Sequence, residues 1–146
     1  CALLSALADV PIRQSIAVTG SVDQFGRAQA IGAVNEKIEG FFRLCKLKGL
    51  TGTQGVILPR TNVKDLALRQ ELIEAVEAGT FRLWAVGHID EALSLLSPRP
   101  AGARSRVEGS EAVCFEEGSF NEAVRARLVS LSELARAFYH PRRAHS

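Results

Sequence analysis

Lys37 is the side chain whose position in the sequence best suits acid–base chemistry. It lies in the first turns of a predicted helix, and Val34, Phe41 and Leu44 fall on the same face at spacings of three and four residues. We therefore expect the lysine to face inward, or at least to lie against the sheet. Burial and the positive potential of a helix N-terminus both favour the neutral amine, which can act as a general base. The alternative is a lysine whose stem covers apolar surface while its amine stays in water.

The other polar patterns of the main body favour structural roles. Three carboxylates recur at helical spacing without a partner base, which is typical of a solvated helix face; they are Glu71, Glu74 and Glu77. His88 is expected to cap or precede a helix, and Trp84 to lie in the core. The glycines at positions 20, 26 and 32 form neither a Gly-x-Gly-x-x-Gly pattern nor a P-loop, so no nucleotide site is expected in this chain.

Composition and charge narrow the class of protein. The chain has 146 residues, of which 47% are hydrophobic and 23% charged, as in one ordinary globular domain. No apolar run approaches the ~18 residues of a membrane span. The net charge is +2, and the balanced main body shows none of the basic stripe that marks nucleic-acid binding. Because the chain starts at Cys1 and contains no Met, we expect it to be a fragment.

The three cysteines indicate neither a disulfide framework nor a zinc site. Cys1, Cys45 and Cys114 lie far apart, and the histidines are not spaced with them as zinc ligands would be. We therefore expect buried thiols in a reducing compartment and no metal site.

The order of elements predicts an α/β (α+β) fold. The end of a helix at Cys1–Leu7 is followed by β-type runs at Ser15–Thr19 and Arg27–Ile31, which together predict an N-terminal hairpin. Further helices are predicted at Ala33–Leu47, Leu66–Ala78 and His88–Leu96, and further strands at Gly55–Pro59 and Phe81–Val86. This alternation favours βαβ crossovers, and the hairpin would make the sheet mixed.

The composition changes at Ser97. Proline, glycine and arginine dominate the next residues, and we interpret 97–118 as a linker. Apolar residues near helical spacing then predict a helix at Phe120–Tyr139, within a C-terminal helical extension at 119–146 that packs as an appendage or against a neighbouring subunit. Residues 1–96 form the main domain.

Four collinear segments of residues 1–96 resemble the peptidase domain of Lon proteases. They are Ala17-Val18-Thr19-Gly20-Ser21, the run Phe25–Lys37 ending in Ile31-Gly32-Ala33-Val34-Asn35-Glu36-Lys37, the run Gly55–Leu66 with its Pro59, Asn62 and Asp65, and His88-Ile89-Asp90-Glu91-Ala92-Leu93. The resemblance implies the Lon peptidase fold (ribosomal protein S5 domain 2-like) and proteolysis by a Ser–Lys dyad.

The resemblance also assigns roles to residues. Lys37 aligns with the catalytic lysine, Thr19 with the threonine that hydrogen-bonds its amine, and Gly32 and Glu36 with positions of the same motif. The chain departs from the pattern at three points. The family's nucleophile motif is absent, so we expect the serine upstream of Cys1 and the chain alone to be inactive. Ala33 replaces the second glycine of the motif, and Ser21 stands where many members carry an acid.

The resemblance implies that the parent protein is an ATP-dependent serine endopeptidase. ATP and Mg would bind in an upstream ATPase module, with no cofactor in this chain. Protein substrates, a homo-oligomer (a hexamer), a cytoplasmic location and no membrane association are expected. The alternatives are an inactive assembly or binding module of the same fold, in which Lys37 merely packs, and an unrelated α/β ligand-binding domain.

Overall fold

A computed structural model describes residues 1–106 and 113–139 of the chain. Contacts divide it into two compact units, one spanning Arg13–Leu96 and the other combining Cys1–Ile12 with residues from Ser97 onward. The helices are α1 (Ala2–Ala8), α2 (Val34–Lys48), α3 (Gln70–Glu77), α4 (Ile89–Leu96) and α5 (Phe120–Tyr139), with a 3₁₀ helix at Arg60–Asp65. The strands are β1 (Ile16–Val18), β2 (Ser21–Val22), β3 (Ala28–Gln29), β4 (Gly55–Pro59), β5 (Arg82–Val86), β6 (Arg104–Arg106) and β7 (Val113–Phe115). No described helix is long and apolar enough to cross a membrane.

The larger unit is built on a parallel sheet of three strands in the order β1-β4-β5. Every residue of β4, the central strand, is buried. Helix α2 connects β1 to β4 and α3 connects β4 to β5, so the predicted α/β class with βαβ connections is confirmed.

The predicted hairpin has a different partner. Strand β3 pairs antiparallel with β2, whereas β1 pairs in parallel with β4. The turn between β2 and β3 is closed by Asp23, whose Oδ1 accepts the backbone N–H groups of Phe25 and Arg27 at 2.8 and 2.9 Å. The hairpin is thus complete with β2 and β3 alone. Strand β1 is not needed in it and pairs instead with the edge of the buried strand β4. Parallel and antiparallel pairing therefore occupy separate sheets.

The core lies between α2, α3 and one face of the sheet. Helix α2 buries the stripe Val34, Ile38, Phe42 and Cys45, and the ring of Phe42 meets that of Phe81 edge-on with centroids 5.1 Å apart. The predicted stripe through Lys37, Phe41 and Leu44 is not the buried one. Both stripes contain Val34. The stripe that packs against the sheet is the one in which all four residues are apolar.

The start of helix α3 differs from the prediction for a local reason. Helix α3 begins at Gln70 rather than Leu66, because Leu66 is extended after the 3₁₀ helix and Ala67 donates its N–H to the side chain of Asn35 at 2.9 Å. Helix α4 begins at Ile89, within one residue of the prediction, and buries Ala92, Leu93 and Leu96.

The smaller unit contains α1, α5 and the strands β6 and β7, and α1 packs against α5. Part of the segment interpreted as a linker is instead an antiparallel pair, in which Ser105 aligns with Cys114. Turn-type composition at 97–103 concealed the short strand that follows it. Helix α5 spans the predicted range, whereas the rest of the predicted extension, residues 140–146, lies outside the described part of the chain.

Candidate active site

A cleft of about 470 Å³ opens between the outer edge of β1 and helix α2. Thr19 lines it from the end of β1, and Glu36 and Lys37 from the first turns of α2. Apolar side chains of both elements complete its walls, chiefly Val18, Phe41, Leu44 and Val56. The structure thus brings Thr19, Glu36 and Lys37 together around one solvent-open space.

Lys37 lines this cleft and is exposed. Its Nζ donates a hydrogen bond to the carbonyl of Gly32 at 3.2 Å. The expectation that Lys37 faces inward was wrong, because the sheet takes up the neighbouring stripe of α2 that contains Ile38. The side chain is therefore open to water.

Thr19 is fixed through its backbone. Its N–H donates to the carbonyl of Ile57 at 2.9 Å, which extends the pairing of β1 with β4 by one residue. Among the described residues, no hydrogen bond joins its hydroxyl to the amine of Lys37; the amine binds Gly32 instead. Ser21, where the family often has an acid, donates to Gln29 Oε1 at 3.4 Å.

The turn that precedes α2 is strained at Ala33. This residue has φ = 55°, in the left-handed region that a non-glycine residue adopts only at a cost. Its carbonyl accepts the N–H of Lys37 at 3.2 Å and so begins the helix. Gly32 is exposed and is not among the glycines with positive φ. The second position of the motif, and not Gly32, is therefore the one at which the backbone favours glycine.

Asn62 holds the same turn from the other side. It is 2% exposed, its Oδ1 accepts the N–H of Ile31 at 3.0 Å, and its Nδ2 donates to the carbonyl of Ile31 at 3.0 Å and to Asp65 Oδ2 at 3.3 Å. No role is predicted for Asn62 from the sequence, since a single asparagine after a strand is also a common turn residue.

Asn35 completes the attachment in the first turn of α2. Its Nδ2 donates to the carbonyl of Asp65 at 3.0 Å, and its Oδ1 accepts the N–H of Ala67. The 3₁₀ helix and the residues after it therefore bind both flanks of the Gly32-Ala33 turn. This arrangement fixes the position of the carbonyl that the lysine amine contacts.

The remaining candidates have structural roles. His88 caps α4, as predicted, because its Nδ1 accepts the N–H of Asp90 at 3.2 Å, and its Nε2 contacts the carbonyl of Phe25 at 2.9 Å. The three helical carboxylates are exposed, as predicted; Glu71 pairs with Lys46. Trp84 is half-buried rather than in the core.

Only one of the three predicted buried thiols is buried. Cys45 is 5% exposed, and burial raises the pKa of its thiol, whereas Cys1 and Cys114 are half-buried. The described residues contain no group of three His, Cys, Asp or Glu side chains that could hold a metal ion.

Comparison with known proteins shows which family this chain belongs to. Residues 1–97 match the family model described as the Lon protease (S16) C-terminal proteolytic domain. A putative Lon protease homolog of Escherichia coli K12 is 64% identical over 96 residues, which are 66% of this chain and 16% of that protein. A putative Lon protease homolog of Haemophilus influenzae is 50% identical over 99 residues, 68% of this chain and 16% of that protein. An archaeal Lon protease of Methanocaldococcus jannaschii is 42% identical over 79 residues, 54% of this chain and 11% of that protein.

The chain thus spans less than a fifth of the length of each of these relatives. The model match nevertheless covers about two thirds of this chain and includes β1, α2 and the cleft between them. The chain belongs to the family of Lon protease C-terminal proteolytic domains.

Proposed function

We propose that this chain is part of a Lon-type ATP-dependent serine endopeptidase in which Lys37 acts as the general base. The observation that carries the proposal is the cleft between β1 and α2, which Lys37 and Thr19 both line. In this proposal, the nucleophilic serine comes from a part of the parent protein outside these 146 residues and enters the cleft beside the amine.

The chemistry requires a neutral amine at the moment of attack. Nζ of Lys37 takes the proton of the serine hydroxyl, and the serine oxygen forms a bond to the scissile carbonyl carbon. The same amine then returns the proton to the leaving nitrogen as the peptide bond breaks, and water hydrolyses the acyl-enzyme. The hydrogen bond to Gly32 directs the amine through one of its protons and leaves its lone pair for the serine.

The walls of the cleft offer apolar surface to the segments that would close it over the amine. Phe41, Leu44 and Val56 surround the site with apolar surface. A serine-bearing segment and a substrate peptide that cover this surface would remove water from the amine, which disfavours its charged form. Thr19 adds a hydroxyl without a charge and can bind the amine once the cleft is closed.

The nucleotide of the parent enzyme acts elsewhere in this proposal. ATP and Mg would bind in an upstream ATPase module of the parent, and no step proposed for this chain uses them. Unfolded or regulatory proteins as substrates, a hexameric assembly and a cytoplasmic location belong to the same proposal.

The exposure of the Lys37 amine favours a second candidate, an inactive assembly or binding module of the same fold. The two candidates differ in what the parent protein does without this amine. In an inactive module, Lys37 has no chemical role, and its replacement does not change peptide cleavage or ATP hydrolysis by the parent protein.

Variants of the full-length parent protein test the proposal. We expect Lys37→Ala and Lys37→Arg to reduce cleavage of a fluorogenic peptide by at least about a hundredfold while ATP hydrolysis continues. Arginine keeps the charge and can still bind Gly32, but it cannot give up its proton. Lys48→Ala, an exposed lysine at the other end of α2, is the matched control and should cleave normally. Cleavage that persists in Lys37→Ala would overturn the proposal, and absence of cleavage in the unaltered parent would favour the inactive module.

A further inference from the structure

A second cavity, of about 490 Å³, lies at the opposite ends of the parallel strands from Lys37. Arg13 and Ser15 line it on the approach to β1, Thr53 on the loop before β4, and Arg82 and Trp84 on β5. Lys37 and Thr19 lie instead beyond the carboxyl end of β1. Nothing in the proposed peptidase chemistry uses this cavity.

The strand register places Gly55 against Trp84, one of the residues that line the cavity. Ile16, Gly55 and Arg82 are aligned across the three strands, so the central position of the row has no side chain. Side chains alternate between the faces of a strand, which puts this row on the face opposite to α2. A Cβ at Gly55 would lie 2.2 Å from the carbonyl oxygen of Arg82 and 2.6 Å from the ring of Trp84. The backbone therefore requires glycine at this point.

The backbone around the cavity is held by hydrogen bonds. The N–H of Arg13 donates to the carbonyl of Leu96 at 2.8 Å, and that of Arg82 to the carbonyl of Gln54 at 3.0 Å. The loop before β4 is closed internally, since Thr51 and Thr53 share a hydroxyl contact at 2.8 Å. The cavity is thus preformed, with both arginines on anchored segments.

The charge around the cavity is unbalanced. Of the described residues, two arginines and no acidic residue line it. In the described part of the chain, neither Arg13 nor Arg82 forms an ion pair, whereas Arg43, Arg60 and Arg69 each pair with a glutamate. An anion that enters this space meets two cations without displacing a carboxylate.

We propose that this cavity binds a phosphate monoester that carries an apolar or aromatic group. Two guanidinium groups and the hydroxyls of Ser15 and Thr53 match a dianion with three acceptor oxygens. A carboxylate has one charge and two oxygens, which would leave part of this donor set unused. The volume is that of a small-molecule site and exceeds the needs of phosphate alone, so the organic part lies against Trp84 and Ile16.

Trp84 makes the proposal directly measurable, because it is the only tryptophan in the chain. Titration of the 146-residue chain with phenyl phosphate should change its fluorescence with a Kd below about 1 mM, and rising salt should weaken binding. Inorganic phosphate should compete weakly, and benzoate should bind at least about tenfold more weakly than phenyl phosphate. Equal or tighter binding of benzoate would overturn the assignment to phosphate, and no binding of phenyl phosphate would overturn the site.

The same chemistry can come from a free metabolite or from a phosphorylated side chain. A short phosphotyrosine peptide, with its unphosphorylated twin as control, separates the two sources. Binding of the peptide about tenfold tighter than phenyl phosphate supports a protein source, and equal or weaker binding of the peptide supports a free ligand.

Variants of Arg13 and Arg82 test whether these two side chains bind the phosphate. Arg13→Gln and Arg82→Gln should each weaken phenyl phosphate binding by about tenfold or more, and Arg82→Lys should restore only part of it, because lysine lacks the bidentate donors. Both arginines are exposed, so the variants should fold normally, which circular dichroism will verify. Lys64→Gln, which removes one charge beyond the other end of β4, should bind normally. Equal losses in all variants would reduce the effect to net charge and overturn the proposed site.

Discussion

The side chain of Asn62 forms two hydrogen bonds with the backbone of Ile31, each at 3.0 Å. Its Oδ1 accepts the N–H of Ile31, and its Nδ2 donates to the carbonyl of the same residue. An edge strand would satisfy the same two groups in this way. A single buried amide thus takes the place of a strand and holds the turn that leads to Lys37.

Removal of this amide should destabilise the fold. We expect Asn62→Ala to lower the free energy of unfolding by about 2 kcal/mol, because it removes three hydrogen bonds at a position that is 2% exposed. Urea unfolding followed by circular dichroism measures the change. Asn35→Ala, which removes two bonds at a more accessible site, should cost about half as much. An unchanged midpoint in Asn62→Ala would show that water replaces the amide.

The left-handed conformation of Ala33 predicts a stabilising substitution. Ala33→Gly should raise the free energy of unfolding by about 1 kcal/mol, because glycine adopts φ = 55° without the steric cost of Cβ. The neighbouring Gly32→Ala should change stability by less than about 0.5 kcal/mol, since a Cβ there meets no atom within 4 Å. If Ala33→Gly proved destabilising, the loss of chain entropy would outweigh the relief of strain.

Substitution by alanine should lower the free energy of unfolding at Gly55 in β4 and raise it at Gly40 in α2. Gly55→Ala should cost about 3 kcal/mol or more, because its Cβ would collide with the backbone of Arg82. Gly40→Ala should add about 0.5–1 kcal/mol, because Gly40 lies inside α2 with open space around its Cβ position. Thermal unfolding of both variants against the unaltered chain tests the pair, and similar midpoints would contradict the close approach of β4 and β5.

Asp23 should make the β2–β3 turn sensitive to acid. The backbone hydrogen bond from Arg27 is the largest influence and holds the pKa of this carboxyl below its ordinary 3.8; desolvation opposes it, and the N–H of Phe25 adds to the lowering. A lowered pKa means that the stabilisation is complete above pH 3.8 and is lost as the pH falls through the lower folded value.

The matched variant for this turn is Asp23→Asn, whose Oδ1 can accept the same two bonds without a charge. Urea unfolding should show the unaltered chain more stable than the variant near neutral pH, with the difference shrinking below about pH 3.8. A difference that stays constant down to about pH 2 would exclude a role for the charge.

The sequence by itself determined the five helices and the three strands of the parallel sheet, together with their order. The alternation of apolar strands with helices predicted the βαβ connections, and the helix that carries Lys37 was placed to within one residue at each end. These features depend on hydrophobic periodicity and on terminating residues such as Gly49, which act within a few residues along the chain. The motif around Lys37 likewise pointed to the correct family before any contact was known.

Only the tertiary structure decided which surfaces these elements share. Two stripes of α2 were compatible with burial, and the choice depended on the sheet that packs against it; this choice left Lys37 exposed. The partner of β1 was decided in the same way, because a strand can pair with a neighbour in sequence or with a distant one such as β4. Asn62 lies 31 residues from Ile31, and no local pattern relates them. Contacts of this kind depend on how the whole chain fills its core, and residue types at short range do not encode them.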